Sequence, residues 1–429
     1  MKKIFLLISL LVLLNREALA GPLVETLNNG MQVIVSEGFP SSIAGVSIMV
    51  EGGVRCEGRE ERGTYSLLSD MLLRGTSSRN KNEIAKEISL LGDSVRSYMR
   101  EEYWAIDATI PGANLRQYLG LCRDLLFNPE LSDGELERVK KTRMQTIRAS
   151  EDSPSGRLSE LYRSVFYPDL YPSKEERIEN IRDADCVILE RVHGRHFVPE
   201  RIVISIAGGI EKGSALKIVE DLFGEIPETP PTASPTAPEV HAVQKNDPLP
   251  FFRTESGGVT QAGILYGTRL DGFSRKDEHI LLLFGAILDN SLGGRLFQSL
   301  RENKGLVYDI RTGYSLSVRP YTWYVITTSR GRNTEAVKEE TEKVLRGLKK
   351  DPPSAQEIEI AVNYLKTRLA AQSLSPLFTA RYNAERLLRG EEPLSLERRT
   401  MMLDRIKPED LSSFVSNYLP SRWTILTVR

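Results

Sequence analysis

The chain carries an internal repeat with a spacing of 221 to 222 residues. The segment H-F-V-P-E-R-I-V-I-S-I at 196–206 resembles N-Y-L-P-S-R-W-T-I-L-T at 417–427. Two shorter pairs keep nearly the same register, E-L-E with E-I-E and Ser-Pro with Ser-Pro, at 135–137 and 357–359 and at 153–154 and 375–376. Three matches at one offset predict a duplicated domain, which restricts the fold to two similar halves.

Length and proline content place the boundary between these halves. A chain of 429 residues is too long for a single core. The segment E-I-P-E-T-P-P-T-A-S-P-T-A-P-E-V at 225–240 suits an extended linker better than a packed element. We therefore expect a first domain at 21–226, a linker at 227–250 and a second domain at 251–429.

The two halves predict similar successions of strands and helices. In the first half we expect strands at 31–36, 43–51, 95–110 and 201–207, and a first helix at 62–74. A second helix should begin at a capping pattern formed by Asn80 and Glu83 and end at Gly92. A later helix should begin at a cap formed by Ser132 and Glu135. In the second half we expect strands at 260–267, 306–316, 321–329 and 422–428, with helices at 275–289 and 295–303. The fold class is α+β, with a largely antiparallel sheet flanked by helices in each half.

The N-terminus reads as an export signal. Lys2 and Lys3 precede an apolar run at 4–14, and Ala18-Leu19-Ala20 supplies the small residues of a cleavage site. The apolar run is too short to span a bilayer comfortably. We expect residues 1–20 to be removed after Ala20 and the remaining protein to be periplasmic.

Charge and cysteine content exclude some classes of partner and bond. Lys and Arg number 57 against 58 Asp and Glu, and no basic stripe is present, so nucleic acid is not expected as a partner. The three cysteines, Cys56, Cys122 and Cys186, could form one disulfide, although three buried thiols are the preferred interpretation.

The segment S-L-G-G-R-L-F-Q-S-L-R-E-N-K-G-L-V-Y-D-I at 291–310 predicts a short helix, a stop at Gly305 and a strand. Arg301 falls in the last helical turn and Tyr308 just inside the strand. A folded turn could bring the guanidinium and the phenol together, and both donate hydrogen bonds that a carbonyl or an oxyanion accepts. The alternative is an ordinary helix–turn–strand with a solvated arginine and a packed tyrosine.

The stretch R-G-T-Y-S-L-L-S-D-M-L-L-R-G-T at 62–76 resembles the first domain of the inverted zinc metallopeptidases, which include pitrilysin, insulin-degrading enzyme and mitochondrial processing peptidase. In that family H-x-x-E-H supplies two zinc ligands and a catalytic glutamate. The matching positions here are Ser66, Ser69 and Asp70, and the family's third ligand falls on Thr146. One carboxylate does not make a zinc site, so no cofactor is expected in this chain.

The second-domain pattern of the same family is retained. Its matching residues are Gly294-Arg295-Leu296-Phe297, Leu300-Arg301-Glu302, Lys304-Gly305-Leu306 and Tyr308. The resemblance implies a clam-shaped, two-domain fold that binds unfolded peptide. It also implies a non-catalytic subunit of a heterodimer, in which Arg301 and Tyr308 reach the active site of a partner that carries the zinc.

Other interpretations remain open from the residues alone. The chain could instead be a homodimeric peptide-binding or chaperone-like module without catalysis, or a peptidase with an unrecognised metal site. His193 and His196, with Cys186 as a third residue, form a weak metal candidate, because a structural helix end is the preferred explanation of the two histidines. Ser66 and Asp70 share a helix face, but no histidine follows closely enough in sequence to suggest a hydrolytic triad.

Overall fold

The computed structural model describes residues 21–92, 95–228, 252–255, 261–290, 293–420 and 422–429. The predicted signal peptide and residues 229–250 of the predicted linker lie outside these ranges. In the part of the chain that is described, no helix has the length and apolar character needed to cross a bilayer.

The first half forms a six-stranded sheet with eight helices among its described residues. The strands are β1 (Leu23–Thr26), β2 (Gln32–Ser36), β3 (Ile43–Glu51), β4 (Arg96–Met99), β5 (Tyr103–Pro111) and β6 (Ile202–Gly208). The helices are α1 (Tyr65–Met71), α2 (Lys81–Leu91), α3 (Leu115–Phe127), α4 (Asp133–Ala149), α5 (Pro154–Phe166), α6 (Lys174–Asp183), α7 (Cys186–His196) and α8 (Lys212–Phe223).

The second half forms a five-stranded sheet. Its strands are β7 (Phe252–Glu255), β8 (Gln261–Arg269), β9 (Val307–Ser315), β10 (Thr322–Arg330) and β11 (Thr424–Val428). Its α-helices are α9 (Glu278–Asp289), α10 (Thr334–Gly347), α11 (Ala355–Ser373), α12 (Pro376–Leu388), α13 (Leu396–Asp404) and α14 (Pro408–Tyr418), and a π-helix covers Phe297–Glu302.

The two sheets share one strand order over five strands, and the first sheet has β1 in addition. The first runs β1-β2-β6-β3-β5-β4 and the second β7-β11-β8-β10-β9. In each sheet one pair is parallel, β2 with β6 and β7 with β11, and the other pairs are antiparallel. This confirms the predicted α+β class with two similar, largely antiparallel sheets.

Three local predictions were wrong in detail. The run at 95–110 is a hairpin of β4 and β5 rather than one strand, and Arg100 and Tyr103 bond across its turn. The helix expected at 62–74 is confined to α1. Ser132 precedes α4 but its side chain makes no capping hydrogen bond, whereas the capping box at Asn80 and Glu83 is complete.

One helix of each half packs on the sheet of the other half. Helix α5 packs on β8 and β11, and α12 packs on β3 and β6. Apolar side chains fill both contacts: Leu158 and Phe166 of α5 cluster with Leu265 and Leu426, and Ala384 of α12 clusters with Ile34, Met49 and Val203. Both helices begin at the repeated Ser-Pro pair, with the serine accepting a hydrogen bond from the first turn.

The contact of α12 with the first sheet is close and charged. A Cβ placed on Gly45 of β3 would lie 2.1 Å from the backbone nitrogen of Leu377, so only glycine fits there. Arg381 donates from Nη2 to the fully buried Asp107 at 2.6 Å. Because each sheet receives a helix from the other half, part of the apolar surface of each half is covered by the other half.

Candidate functional site

Ser66 and Ser69 on α1 are bonded to the backbone of their own helix. The hydroxyl of Ser66 donates to the carbonyl of Gly63 at 2.8 Å. The hydroxyl of the buried Ser69 donates to the carbonyl of Ser66 at 2.7 Å. Both hydroxyl protons are therefore given to carbonyls and not to a general base, which is not the arrangement of an activated nucleophile.

Asp70 is paired with an arginine from α4. Nη2 of Arg143 lies 2.5 Å from Oδ2 of Asp70 and also donates to the carbonyl of Ser66 at 3.3 Å. Burial raises the pKa of Asp70, while the Arg143 guanidinium opposes that rise. The guanidinium thus bridges the positions that match the two histidines of the zinc motif.

Thr146, which matches the family's third zinc ligand, also supplies no metal ligand. Thr146 lies one turn after Arg143 on α4, is exposed, and donates from Oγ1 to the carbonyl of Thr142 at 3.0 Å. Two serines, a threonine and a carboxylate already paired with a cation do not suit zinc, which takes His, Cys or free carboxylate ligands. In the described ranges, no cluster of three or more His, Cys, Asp or Glu side chains could hold a metal ion.

Glu57 fixes the start of the helix that carries these positions. Its buried carboxylate accepts hydrogen bonds from the backbone nitrogens of Gly63 at 2.9 Å and Tyr65 at 3.0 Å. Burial raises the pKa of Glu57 to about 8, and the two backbone donors oppose the rise. Glu61, four residues further on, bonds the hydroxyl of Tyr65 at 3.1 Å and Arg191 at 2.5 Å.

The two histidines of α7 lie in its last turn, and their rings contact different backbone carbonyls. Nε2 of His193 lies 2.7 Å from the carbonyl of Leu126, and Nδ1 of His196 lies 3.1 Å from the carbonyl of Glu51. Burial lowers the pKa of both rings, that of His196 to about 4. These contacts are those of neutral rings packed in a core.

Arg301 lies in the π-helix, and its side chain is exposed. Its guanidinium carbon lies 5.2 Å from the centre of the Phe297 ring. The helix ends as predicted at Gly305, which adopts a left-handed φ of 58°, and the amide of Gly305 donates to the carbonyl of Arg301 at 3.0 Å. A π-helix has a wider turn than an α-helix and is frequent at functional sites.

Arg295 ties this segment to α11. Its Nε and Nη2 donate to Oε1 and Oε2 of Glu357 at 2.6 and 2.9 Å, a two-point contact. Glu357 also completes the capping box of Ser354 at the start of α11. The Arg295 guanidinium lowers the pKa of Glu357 to about 2. The carboxylate therefore holds both the arginine and the helix start.

Tyr308 occupies a β-bulge in the edge strand of the second sheet. Asp309 pairs with Thr328 and Val307 pairs with Ser329, so Tyr308 is the extra residue between them. A bulge redirects a side chain, and the Tyr308 side chain is 49% exposed. Its hydroxyl oxygen accepts a hydrogen bond from Nε of Arg330 at 3.0 Å.

Arg301 and Tyr308 lie on either side of one turn, and each has its own contact. The amide of Leu306 donates to the carbonyl of Leu300 at 2.9 Å, which folds the helix end back before β9 begins. Arg301 stacks on Phe297, and Tyr308 bonds Arg330. No hydrogen bond joins Arg301 to Tyr308 among the contacts of the described residues.

Two residues of this arrangement were missed in the sequence. Arg143 precedes Thr146 by three residues on α4 and so shares its face, a helical spacing that could have drawn attention to it. Arg330 contacts Tyr308 from 22 residues away on the next strand. Only the register of β9 and β10 brings these two side chains together, and no local pattern encodes that register.

Two family profiles match the chain. The first, Insulinase (Peptidase family M16), matches residues 32–169, and the second, Peptidase M16 inactive domain, matches residues 189–365. The uncharacterized zinc protease YmxG of Bacillus subtilis is 25% identical over 350 residues, which cover 80% of this chain and 82% of that protein.

Solved structures share the fold. A protease from Helicobacter pylori has a TM-score of 0.84 at 17% identity, covering 96% of this chain and 100% of that chain. The peptidase M16 inactive domain from Pseudomonas fluorescens has a TM-score of 0.79 at 16% identity, covering 95% and 97%. Since two profiles of the M16 family match residues in both halves, the chain belongs to the M16 family of inverted zinc metallopeptidases.

Proposed function

We propose that this chain is a non-catalytic subunit of an exported, periplasmic heterodimeric metallopeptidase. It binds unfolded peptide and donates Arg301 and Tyr308 to the active site of a homologous partner that carries the zinc. One observation carries the proposal. The metal-motif positions hold Ser66, Ser69 and Asp70, with Asp70 paired to Arg143, whereas Arg301 and Tyr308 remain exposed.

The exposed pair has the chemistry that a scissile peptide bond requires. A guanidinium has five N–H donors and stays charged at any working pH, so Arg301 anchors a backbone carbonyl of the substrate. A phenol has one proton to donate, and Tyr308 donates it to the oxyanion that forms when the carbonyl is attacked.

Arg330 leaves the proton of Tyr308 available for this role. Its Nε donates to the phenol oxygen, so that contact uses a lone pair of Tyr308 and not its proton. The bulge then presents the hydroxyl on the exposed edge of the sheet. Arg330 is thus a positioning residue in the proposed subunit.

Reconstitution with a zinc-motif partner tests the proposal. The first partner to try is the product of an adjacent reading frame that encodes H-x-x-E-H. Arg301→Ala and Tyr308→Phe are each expected to reduce peptide hydrolysis by the complex by about 100- to 1,000-fold, the usual effect of losing one oxyanion donor. Arg311→Ala on the same strand, with a side chain 77% exposed, and Tyr364→Phe on α11 are the controls and should retain activity.

Unchanged hydrolysis by both variants would show that the assigned roles are wrong. Sedimentation of the purified chain separates the proposal from the alternative of a homodimeric peptide-binding module. A stable homodimer that binds peptide without a partner and is indifferent to zinc would favour the module. Stoichiometric zinc that survives dialysis of the isolated chain would contradict the non-catalytic assignment itself.

A further inference from the structure

A cavity of 630 Å³ lies in the second half, away from Arg301 and Tyr308, between α9, α11, α12 and α13. Apolar side chains form much of its wall: Leu282, Leu365, Leu369, Leu394, Met402 and Leu403. This volume lies in the range of sites for small organic ligands, and charged side chains line much of the remaining wall.

Arg399 of α13 projects to this cavity over two aromatic rings of α12. Its guanidinium carbon lies 3.9 Å from the centre of the Tyr382 ring and 5.5 Å from that of Phe378. The two rings are nearly parallel, at an interplanar angle of 9°. Stacking on both rings holds the guanidinium plane in place and leaves its N–H edge free to bind a planar anion.

Arg399 has no carboxylate bonded to it in the described part of the chain, although it is half-buried. Burial lowers the pKa of its guanidinium, which reflects the cost of placing a charge there. Glu278 acts on it through space. However, Oε1 of Glu278 accepts a hydrogen bond from the Tyr314 hydroxyl at 2.7 Å.

The other acids of the cavity are paired with other cations. Arg386 pairs with Glu391 at 2.9 Å, and Arg398 pairs with Glu392 at 2.5 Å. At the mouth, Lys276 and Arg368 are exposed and add positive charge. The cavity therefore combines an apolar wall with an excess of positive charge that centres on Arg399.

We propose that this cavity binds a monocarboxylate with an apolar body. The carboxylate accepts two parallel hydrogen bonds from the guanidinium of Arg399, and the apolar body packs on Leu365, Leu369 and Met402. A fatty acid and the C-terminal end of an apolar peptide share this chemistry. The site is separate from Arg301 and Tyr308 and does not depend on a partner subunit.

Calorimetric titration of the purified mature chain tests the site. Sodium decanoate and trileucine are the two carboxylate probes, and decanamide and trileucine amide are their uncharged matches. We expect at least one carboxylate to bind and its amide to bind at least tenfold more weakly. The tighter of the two carboxylates identifies the source of the ligand, and binding by neither contradicts the proposal.

Two variants locate the binding. Arg399→Gln is expected to weaken carboxylate binding at least tenfold. Arg405→Gln, at the exposed residue that follows the C-terminal end of α13, should leave carboxylate binding unchanged. Met402→Trp fills the cavity while it retains Arg399, and it should also weaken binding. If Arg399→Gln fails to fold, Met402→Trp tests whether the ligand binds in this cavity. Wild-type affinity in a folded Arg399→Gln or in Met402→Trp would overturn the proposal.

Discussion

Nη2 of Arg143 lies 2.5 Å from Oδ2 of Asp70, so an ion pair joins α4 to α1. In the family pattern a metal would connect these two helices, because its ligands come from both. Here a guanidinium supplies the positive charge that faces α1. The ion pair thus links the two helices at the place where the family pattern has its metal ligands.

Removal of Arg143 should destabilise the fold. Arg143→Gln leaves the partly buried Asp70 without its counter-charge, and we expect the free energy of unfolding to fall by about 1–2 kcal/mol. The double variant Asp70→Asn with Arg143→Gln should recover part of this loss, because no charge is then left unpaired. Urea unfolding followed by circular dichroism measures both. The control is Arg138→Gln on the same helix, where the arginine side chain is 73% exposed. An equal loss in that control would mean that the pair has no special role.

Gly45 should tolerate no side chain. Gly45→Ala places a Cβ 2.1 Å from the backbone nitrogen of Leu377, and a backbone atom cannot move aside as a side chain can. We expect a loss of about 3 kcal/mol or more, or failure to fold. Gly120→Ala is the matched control, since Gly120 lies inside α3 with open space around it. That substitution should be neutral or stabilising by up to about 1 kcal/mol. A thermal midpoint of Gly45→Ala equal to that of the wild type would contradict the close packing.

The contribution of His196 to stability should fall as the pH drops through the range in which this ring titrates. Burial lowers the pKa of His196 from the ordinary 6.5 to about 4. Below pH 6.5 the unfolded chain binds a proton that the folded chain does not bind until about pH 4. The His196 contribution to the free energy of unfolding therefore decreases as the pH falls from about 6.5 to about 4, whereas Glu57, whose pKa burial raises to about 8, acts in the opposite sense. The pKa of His193 is also lowered by burial, so it adds to this slope.

His196→Asn isolates the contribution of His196. The asparagine amide replaces the N–H near the carbonyl of Glu51 and does not titrate, so the free energy of unfolding of the wild type relative to this variant should fall between pH 6.5 and 4. Urea titrations at several pH values measure it. His279→Asn makes the same substitution on a partly buried, hydrogen-bonded histidine and is the control. A slope in His196→Asn as steep as in the wild type would exclude a buried neutral ring.

Arg330 should act through Tyr308. In the reconstituted complex, Arg330→Gln removes the donor to the phenol oxygen, and we expect a loss of about tenfold in kcat with a smaller change in KM. In the Tyr308→Phe background the same substitution should have no further effect, because its acceptor is gone. Arg332→Gln removes an exposed charge two residues away and is the control. Additive losses in the double variant would show that Arg330 does not work through the hydroxyl.

Patterns repeated along the chain predicted most of the fold. The duplicated Ser-Pro pairs and closing strands indicated two similar halves, and Gly305 marked a helix end that the structure confirms with its positive φ. The hairpin of β4 and β5 was missed because its turn, at Arg100-Glu101-Glu102, contains no Gly, Pro or Asn. Glu102 in this turn is buried and forms ion pairs with Arg275 and Arg389 from the other half. No local sequence pattern encodes such distant partners.

The candidate site was predictable in its residues and not in its contacts. The family pattern identified Ser66, Ser69, Asp70 and Thr146 as degenerate positions, but the ion pair to Arg143 depends on how α1 and α4 pack. Similarly, the exposure of Tyr308 follows from a bulge, because an unbroken strand would alternate its side chains regularly. The register shift between Thr328 and Ser329 is a tertiary feature.

The exchange of α5 and α12 between the sheets has a mechanical consequence. A protease that cut the chain between residues 228 and 252 would separate the polypeptide into two fragments, yet each fragment would still hold a helix embedded in the other. The two fragments should elute together in size-exclusion chromatography under native conditions and should separate only in denaturant. A gene encoding either half alone would yield a product with one sheet face bare.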